Sequence, residues 1–525
     1  MARIAFILLC HKDPDAIIAQ AQQLTAAGDC MAIHFDARAH SEDYARIQQA
    51  LADNPNVTFA AKRIRCGWGE WSLVQATLHA LDAATEAFPR ATHFYMLSGD
   101  CMAIKTAEYA HHFLDENDVD FIESHDFFES DWIKTGMKED RLIYRHYFNE
   151  RTQASRFYTS YEVQKKLRLT REIPHDIQVM IGSQWWCLRR RTVELIQAFL
   201  RERRDVIRFF STTWIPDETF FQTLVRHLIR KEEIESRTLT FLMFSDYGMP
   251  VTFYNDHYDM LLGQDYLFAR KISPEAHELK KRLGQLYASE GVVFHISNEG
   301  RNLHRFLTGR GRVGRRFAQR FWEASNTLGP DRDLLLITCK KWHVAKRLMD
   351  QIVSETQLPC IEYLFNEEDT RFPDLGGIET TLLKRSRHRR AIVGMLYDEF
   401  GSDKLVLCID PGSTDIIRDF QADQVRLRVL DIECRYSDAY LAGHAQRVGL
   451  VGQNSPPESV DRLLPTLRSE IAHESELIRS AASEGYFRIR ETADRTQNAA
   501  ELARFLSVSL QKAADILQLD YLFTD

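Results

Sequence analysis

The sequence predicts an α/β protein made of two successive parallel-sheet units, and three observations carry that prediction. From the first residues onward, short apolar runs alternate with stretches of helical apolar periodicity, the pattern of strand–helix–strand units. The pattern changes after Lys271, passes through a segment crowded with arginine and glycine, and restarts at Asp331. A chain of 525 residues, 44% hydrophobic, is too long for one core and long enough for two or three. The expected division is residues 1–300, an Arg-rich linker over 301–330, and a second α/β unit with a helical C-terminus over 331–525.

The opening run RIAFILLC reads as a strand from Ile4 to Leu9, followed by a helix through Ile17, Ile18 and Leu24. Met31 to Phe35 and Val57 to Ala60 read as the next two strands, which completes a βαβ alternation. Ligands of such sheets bind beyond the strand C-termini. His11 and Asp36 sit at two of those ends, where they suit a nucleotide base or ribose; the plainer reading is that each merely ends its strand. The loop Arg65 to Ser72, RCGWGEWS, offers turns at Gly67 and Gly69 and flat apolar faces at Trp68 and Trp71 on which a sugar can stack. Tryptophan is more often core than platform. His93 to Leu97 is a further strand, leading into the polar turn Ser98-Gly99-Asp100-Cys101-Met102.

The segment from Phe127 to Thr170 mixes aromatic rings with Lys134, Arg141 and Arg145, a composition that fits either a saccharide surface or an irregular insertion. In TWIPDETFFQTLV, Pro216 suits a first helical turn, and Asp217 and Glu218 complement the positive end of the helix dipole. Phe220, Leu224 and Leu228, with Phe221, Val225 and Ile229, recur at helical spacing and anchor that turn. A carboxylate held so firmly can act as a general base; two acids capping an ordinary helix is the plainer alternative.

The net charge of -8 argues against a nucleic-acid partner. Nine cysteines without a C-x-x-C pair argue against a disulfide framework and a structural zinc, and fit a reducing compartment. No apolar run approaches bilayer length, so a cytoplasmic location is expected. The Arg-rich stretch around Arg310, Arg312, Arg315 and Arg316 is either a solvated linker or a patch for anionic lipid and peripheral membrane contact. The second unit shows strands at LLLITC, CIEYLF, KLVLCID and QVRLRVLDIE and carries no phosphate-loop fingerprint; Asp410-Pro411-Gly412-Ser413 reads as an ordinary turn.

The segments CHKDP, GWGEWSLVQATL, FYMLSGDCMAIKT, GSQWWCLRR, WIPDETFFQTL and LFARKI, in this order over roughly residues 1–275, resemble the core-2/I-branching family of β-1,6-N-acetylglucosaminyltransferases and peptide O-xylosyltransferases. The resemblance implies a GT-A-like fold and inverting sugar transfer without metal. It implies Glu218 as general base, with Lys271 and its neighbour Arg270 at the diphosphate. It further implies nucleotide-sugar contacts from His11, Asp36, Gly67, Trp68, Ser98, Gly99 and Asp100, and substrate contacts from Ser183, Gln184, Trp185 and Asp217. The expected partners are a UDP-N-acetylglucosamine or UDP-xylose donor and a glycan, polymer or peptide acceptor, with no cofactor and no metal site. GT-A transferases usually carry Asp-x-Asp at the strand end where this chain has only Asp100, and side-chain cations must then replace the ion. Asp100 also falls one position early against the family's turn, with Cys101 in the usual Asp place, and Arg237 is a loose candidate for a second diphosphate cation. That shift motivates the alternative of a catalytically decayed carbohydrate-binding or scaffold protein. The helix-start position is expected to lower the pKa of Glu218.

Overall fold

Burial on both faces explains the opening strands: IAFILLC and CMAIHF show no in–out alternation because helices cover both sides of their sheet. The computed structural model describes residues 2–133, 136–244, 250–300, 327–452, 456–482, 485–519 and 521–524. The chain divides into two units, residues 1–317 and 318–525. The expected Arg-rich linker and lipid patch fall largely on residues 301–326, outside the described residues.

In the N-terminal unit the strands are β1 (Ile4–Cys10), β2 (Cys30–Phe35), β3 (Val57–Phe59), β4 (His93–Ser98), β5 (Met102–Ala103), β6 (Asp120–Phe121), β7 (His125–Asp126), β8 (Met180–Ile181), β9 (Cys187–Arg189), β10 (Ile234–Glu235), β11 (Thr240–Phe241) and β12 (Phe268–Ala269). Seven form the main sheet in the order β10-β6-β9-β4-β1-β2-β3, and β11-β12-β5 form a smaller one. β1 pairs in parallel with both β2 and β4, so all three end at one edge. β9 runs antiparallel to β4, with Tyr95 opposite Cys187. The residues just before β9 therefore lie at that same edge, and Met96 N–H donates to Trp186 O at 2.9 Å.

Two helices fix this edge. In Pro14–Thr25 the Asp13 carboxylate caps Ala16 N–H, Pro14 starts the first turn, and Ile17, Gln20, Ala21 and Leu24 form the buried stripe. Gln20 Nε2 donates to Cys101 O at 2.8 Å, which pins the turn after β4. Trp71–Ala87 buries Val74, Thr77, Leu81 and Ala84. The pair Asp118 and Asp120 is structural, since both carboxylates bind Arg189.

The second unit has a five-stranded parallel sheet. Its strands are β13 (Asp333–Thr338), β14 (Cys360–Ile361), β15 (Lys404–Ile409), β16 (Arg426–Glu433) and β17 (Tyr486–Arg490), in the order β14-β15-β13-β16-β17. The C-terminal stretch is helical over Pro457–Ala482, Arg495–Leu506 and Leu510–Ile516, as expected, but β17 interrupts it. This is the α/β architecture expected for a GT-A-like domain followed by a second α/β domain. Among the described residues no helix is long and apolar enough to cross a membrane.

Candidate active site

Glu218 belongs to a single 3-10 turn, Pro216–Glu218, and the α-helix proper starts at Phe220. The expected helix start is thus displaced, because Thr219 at φ -129° interrupts the run. Phe220, Phe221, Leu224 and Val225 are all buried and hold the turn from below. Ile215, just before it, adopts φ +54°, a left-handed conformation that costs a β-branched residue roughly 1–2 kcal/mol. Its N–H donates to Gly69 O at 2.9 Å. Gly69 itself has φ +69° and packs on Trp214 and Ile215, so the GWGEW loop braces the acid pair.

The Glu218 carboxylate accepts a hydrogen bond from Arg141 Nη1 at 3.1 Å and another from the Trp132 side chain. Arg141 is buried and lies over the Trp214 ring, 5.0 Å from its centroid. Burial pushes the Glu218 pKa up, opposed by Arg141 and Trp132. The expected lowering by the helix dipole is therefore reversed: the α-helix begins two residues later, and desolvation dominates at the carboxylate. Asp217 is pushed up to about 7 by burial and by the neighbouring Glu218 charge, and among the described residues its Oδ1 has no hydrogen-bond partner.

Arg270 and Lys271 form a cationic wall just after β12. β12 pairs antiparallel with β5, Phe268 opposite Ala103 and Ala269 opposite Met102, and the two cations follow directly on it. Ile272 N–H donates to Asp100 O at 3.0 Å, one position out of the β5–β12 register, while Lys271 N–H turns to Val251 O at 3.3 Å. Burial, then Arg270, lowers the Lys271 pKa, and Asp100 partly offsets them. The Arg270 guanidinium lies 4.1 Å from the centroid of the Trp185 ring, and among the described residues its Nε has no hydrogen-bond partner. Beside this wall a cavity of about 530 Å³ is lined by His11, Lys12, Ser98, Gly99 and Asp100.

The stretch Gly182–Trp185 joins the two walls. Gly182 N–H donates to Glu218 O at 2.9 Å, and a side chain at 182 would meet Glu123 O at 2.0 Å, so only glycine fits. Trp185, at the other end, carries Arg270. Three residue steps span at most about 11 Å, the scale of a sugar plus its diphosphate. A second cavity, of about 510 Å³, is lined by Lys138, Glu139, Asp140, Tyr158 and Trp214, on the Arg141 side of the acid pair.

Other expected residues are placed differently. Asp36 is 9% exposed and accepts Arg38 N–H at 2.7 Å and Cys66 N–H at 3.3 Å, tying β2 to the glycine loop. Gly67 N–H donates to Ser72 Oγ, and Trp68 stays 42% exposed with Arg151 over its ring. Trp185 is buried and offers no open stacking face, while Ser183 is buried and uses its carbonyl to accept from Gln222; only Gln184 stays partly exposed. Arg237 is paired with Asp265 at 3.1 Å and lies over Tyr266. Cys101, in the family's Asp place, is a fully buried thiol. The sequence reading missed Arg141 and Trp132 as partners of Glu218 and passed over Lys12, whose signal was its place beside His11 at a strand end.

Residues 4–260 match the core-2/I-branching enzyme family. The N-terminal unit belongs to that family. It is accordingly a glycosyltransferase domain, and glycosyltransferases of this kind transfer a sugar from a nucleotide-sugar donor to an acceptor, releasing the nucleotide. Residues 270–525 match a family of unknown function, DUF5928, whose span begins at Arg270, inside the core-2/I-branching unit's cationic wall. No curated protein matches the chain. Among the described residues, no three His, Cys, Asp or Glu side chains cluster as a metal site would require.

Proposed function

We propose that the N-terminal unit is an inverting, metal-independent transferase that moves N-acetylglucosamine or xylose from a UDP-sugar to a hydroxyl of a glycan, polymer or peptide. The observation that carries this reading is the short stretch Gly182–Trp185, bonded at one end to the Glu218 main chain and covered at the other by the Arg270 guanidinium. Glu218 takes the proton of the acceptor hydroxyl, and that oxygen bonds to the anomeric carbon from the face opposite the nucleotide. The bond from that carbon to the diphosphate breaks, and its electron pair leaves with the diphosphate. Lys271 and Arg270 stabilise the growing negative charge, the task a divalent ion performs elsewhere. A single displacement of this kind inverts the anomeric centre. Aromatic residues Trp214 and Tyr158, lining the cavity beside Arg141, suit an acceptor saccharide ring.

The test is UDP release from a panel of UDP-sugars by the full chain, with and without chelator, alongside melting temperatures for each donor. Turnover that persists in chelator with one of the two sugars supports the proposal. Loss of turnover in chelator, restored by a divalent ion, overturns metal independence. A second reading, a saccharide-binding protein without turnover, is favoured by the buried Cys101 where the family has a carboxylate. Donor binding without UDP release from any acceptor mixture would support that reading instead.

A further inference from the structure

Asp100 presents an unusual arrangement for a donor site: a carboxylate stands among the cations that would receive a diphosphate. Lys12 Nζ lies 3.5 Å from Asp100 Oδ1, and both side chains are partly open to solvent, 53% and 24% exposed. The Asp100 carbonyl accepts from Ile272 N–H at 3.0 Å, which ties the turn after β4 to the residue next to Lys271. Lys12 is close enough to Lys271 to lower its pKa further, while Asp100 acts in the opposite sense on that group. Lys12 and Asp100 line the cavity that His11, Ser98 and Gly99 also line, and Lys271 stands near enough to both to feel their charges. Among the described residues Lys12 has no other acid within ion-pair distance.

We infer that Lys12 is a further diphosphate-binding cation beside Lys271 and Arg270, and that Asp100 is an internal anion that holds Lys12 and Lys271 in place until a donor displaces it. The inference rests on the donor-site reading above. An exposed ion pair is weakly held and easily exchanged. A nucleoside diphosphate brings more than one negative charge to the same two ammonium groups and out-competes a single carboxylate. With the donor absent, Asp100 keeps two like charges from repelling each other apart. With the donor present, the same carboxylate repels it, which weakens product UDP as well and favours its departure.

The consequence runs against ordinary expectation for a residue in a binding site: removing the carboxylate should tighten binding. The experiment is calorimetric titration of UDP into the full chain as wild type, Asp100→Asn and Lys12→Met, at low and moderate salt. Asp100→Asn should bind UDP roughly tenfold more tightly, and Lys12→Met roughly tenfold more weakly. The wild-type affinity should fall as salt rises. In steady state Asp100→Asn should show stronger product inhibition by UDP. Asparagine keeps the size of the side chain, and matching melting temperatures for the two proteins establish that the fold is intact. If wild type binds UDP and Asp100→Asn binds it equally or less well, the displacement idea is overturned while the donor-site reading stands. If Lys12→Met leaves UDP affinity unchanged, Lys12 is not a diphosphate ligand. If wild type binds no UDP at all, the donor-site reading fails and this inference with it.

Discussion

The two walls of the candidate site are held by opposite means. Glu218 is fixed by a buried arginine, a tryptophan donor and a helix buried nearly all round, whereas the cationic wall is completed by Lys12 and Asp100, both reachable by solvent. The difference matches the work assigned to each. A general base must stand still within hydrogen-bond reach of its proton. A diphosphate cradle must exchange partners once per turnover, and loosely held charges do that best.

The sharpest break in this comparison is Glu218→Gln. The amide keeps the shape and the Trp132 donor bond but cannot take a proton, so kcat should fall by about 10²–10⁴-fold with UDP affinity retained. Unaltered turnover would remove Glu218 from the chemistry. On the opposite wall Lys271→Met should lower kcat/KM by roughly 10²-fold and, unlike Glu218→Gln, weaken UDP binding in the same titration. Equal UDP affinity in Lys271→Met and wild type would place Lys271 outside the cradle.

A smaller effect separates positioning from chemistry. Arg141 lowers the Glu218 pKa against the rise caused by burial. Arg141→Met should therefore raise the Glu218 pKa, and the acid limb of kcat/KM should move to higher pH. Activity lost at pH 6 should be largely regained at pH 8.5. A uniform loss across pH would assign Arg141 to packing on Trp214 alone.

How far the site was legible in the sequence follows from the same contrast. Pro216-Asp217-Glu218 and LFARKI are local patterns, and both locate residues that the fold brings to one sheet edge. Arg141 is 77 positions from Glu218, in a segment without periodicity, so nothing local connects the two. Arg237 was suggested by sequence distance alone, and the nearby acid Asp265 claims it. Strands buried on both faces, such as β1, β2 and β13, are legible because composition alone marks them. β5 and β12 are two residues each and exist only through pairing in a small sheet, yet Arg270 and Lys271 follow directly on β12. β17, YFRIR, was missed between two helices: it pairs on one side only, with β16, and alternates arginine with apolar residues, so it lacks the composition of a central strand.

The smallest predicted effect concerns Asp217, the neighbour that burial and the Glu218 charge push up to about 7. A carboxyl whose folded pKa lies above its unfolded value stabilises the fold fully only below the unfolded value, and that stability is lost as pH rises through the folded one. The affected window runs from about pH 4 to about pH 7. Wild-type stability should therefore decline across it, by on the order of 2 kcal/mol once solvent access to the residue is allowed for. Asp217→Asn removes the charge and keeps the shape, so its denaturant midpoint should vary less over the same range and exceed that of wild type at pH 8. If Asp217 also contacts substrate, the variant gains stability and loses kcat/KM together, whereas a merely buried acid gives the first change alone. A variant less stable than wild type at pH 8 would mean that the carboxylate, ionised, finds a partner that the free Oδ1 does not reveal.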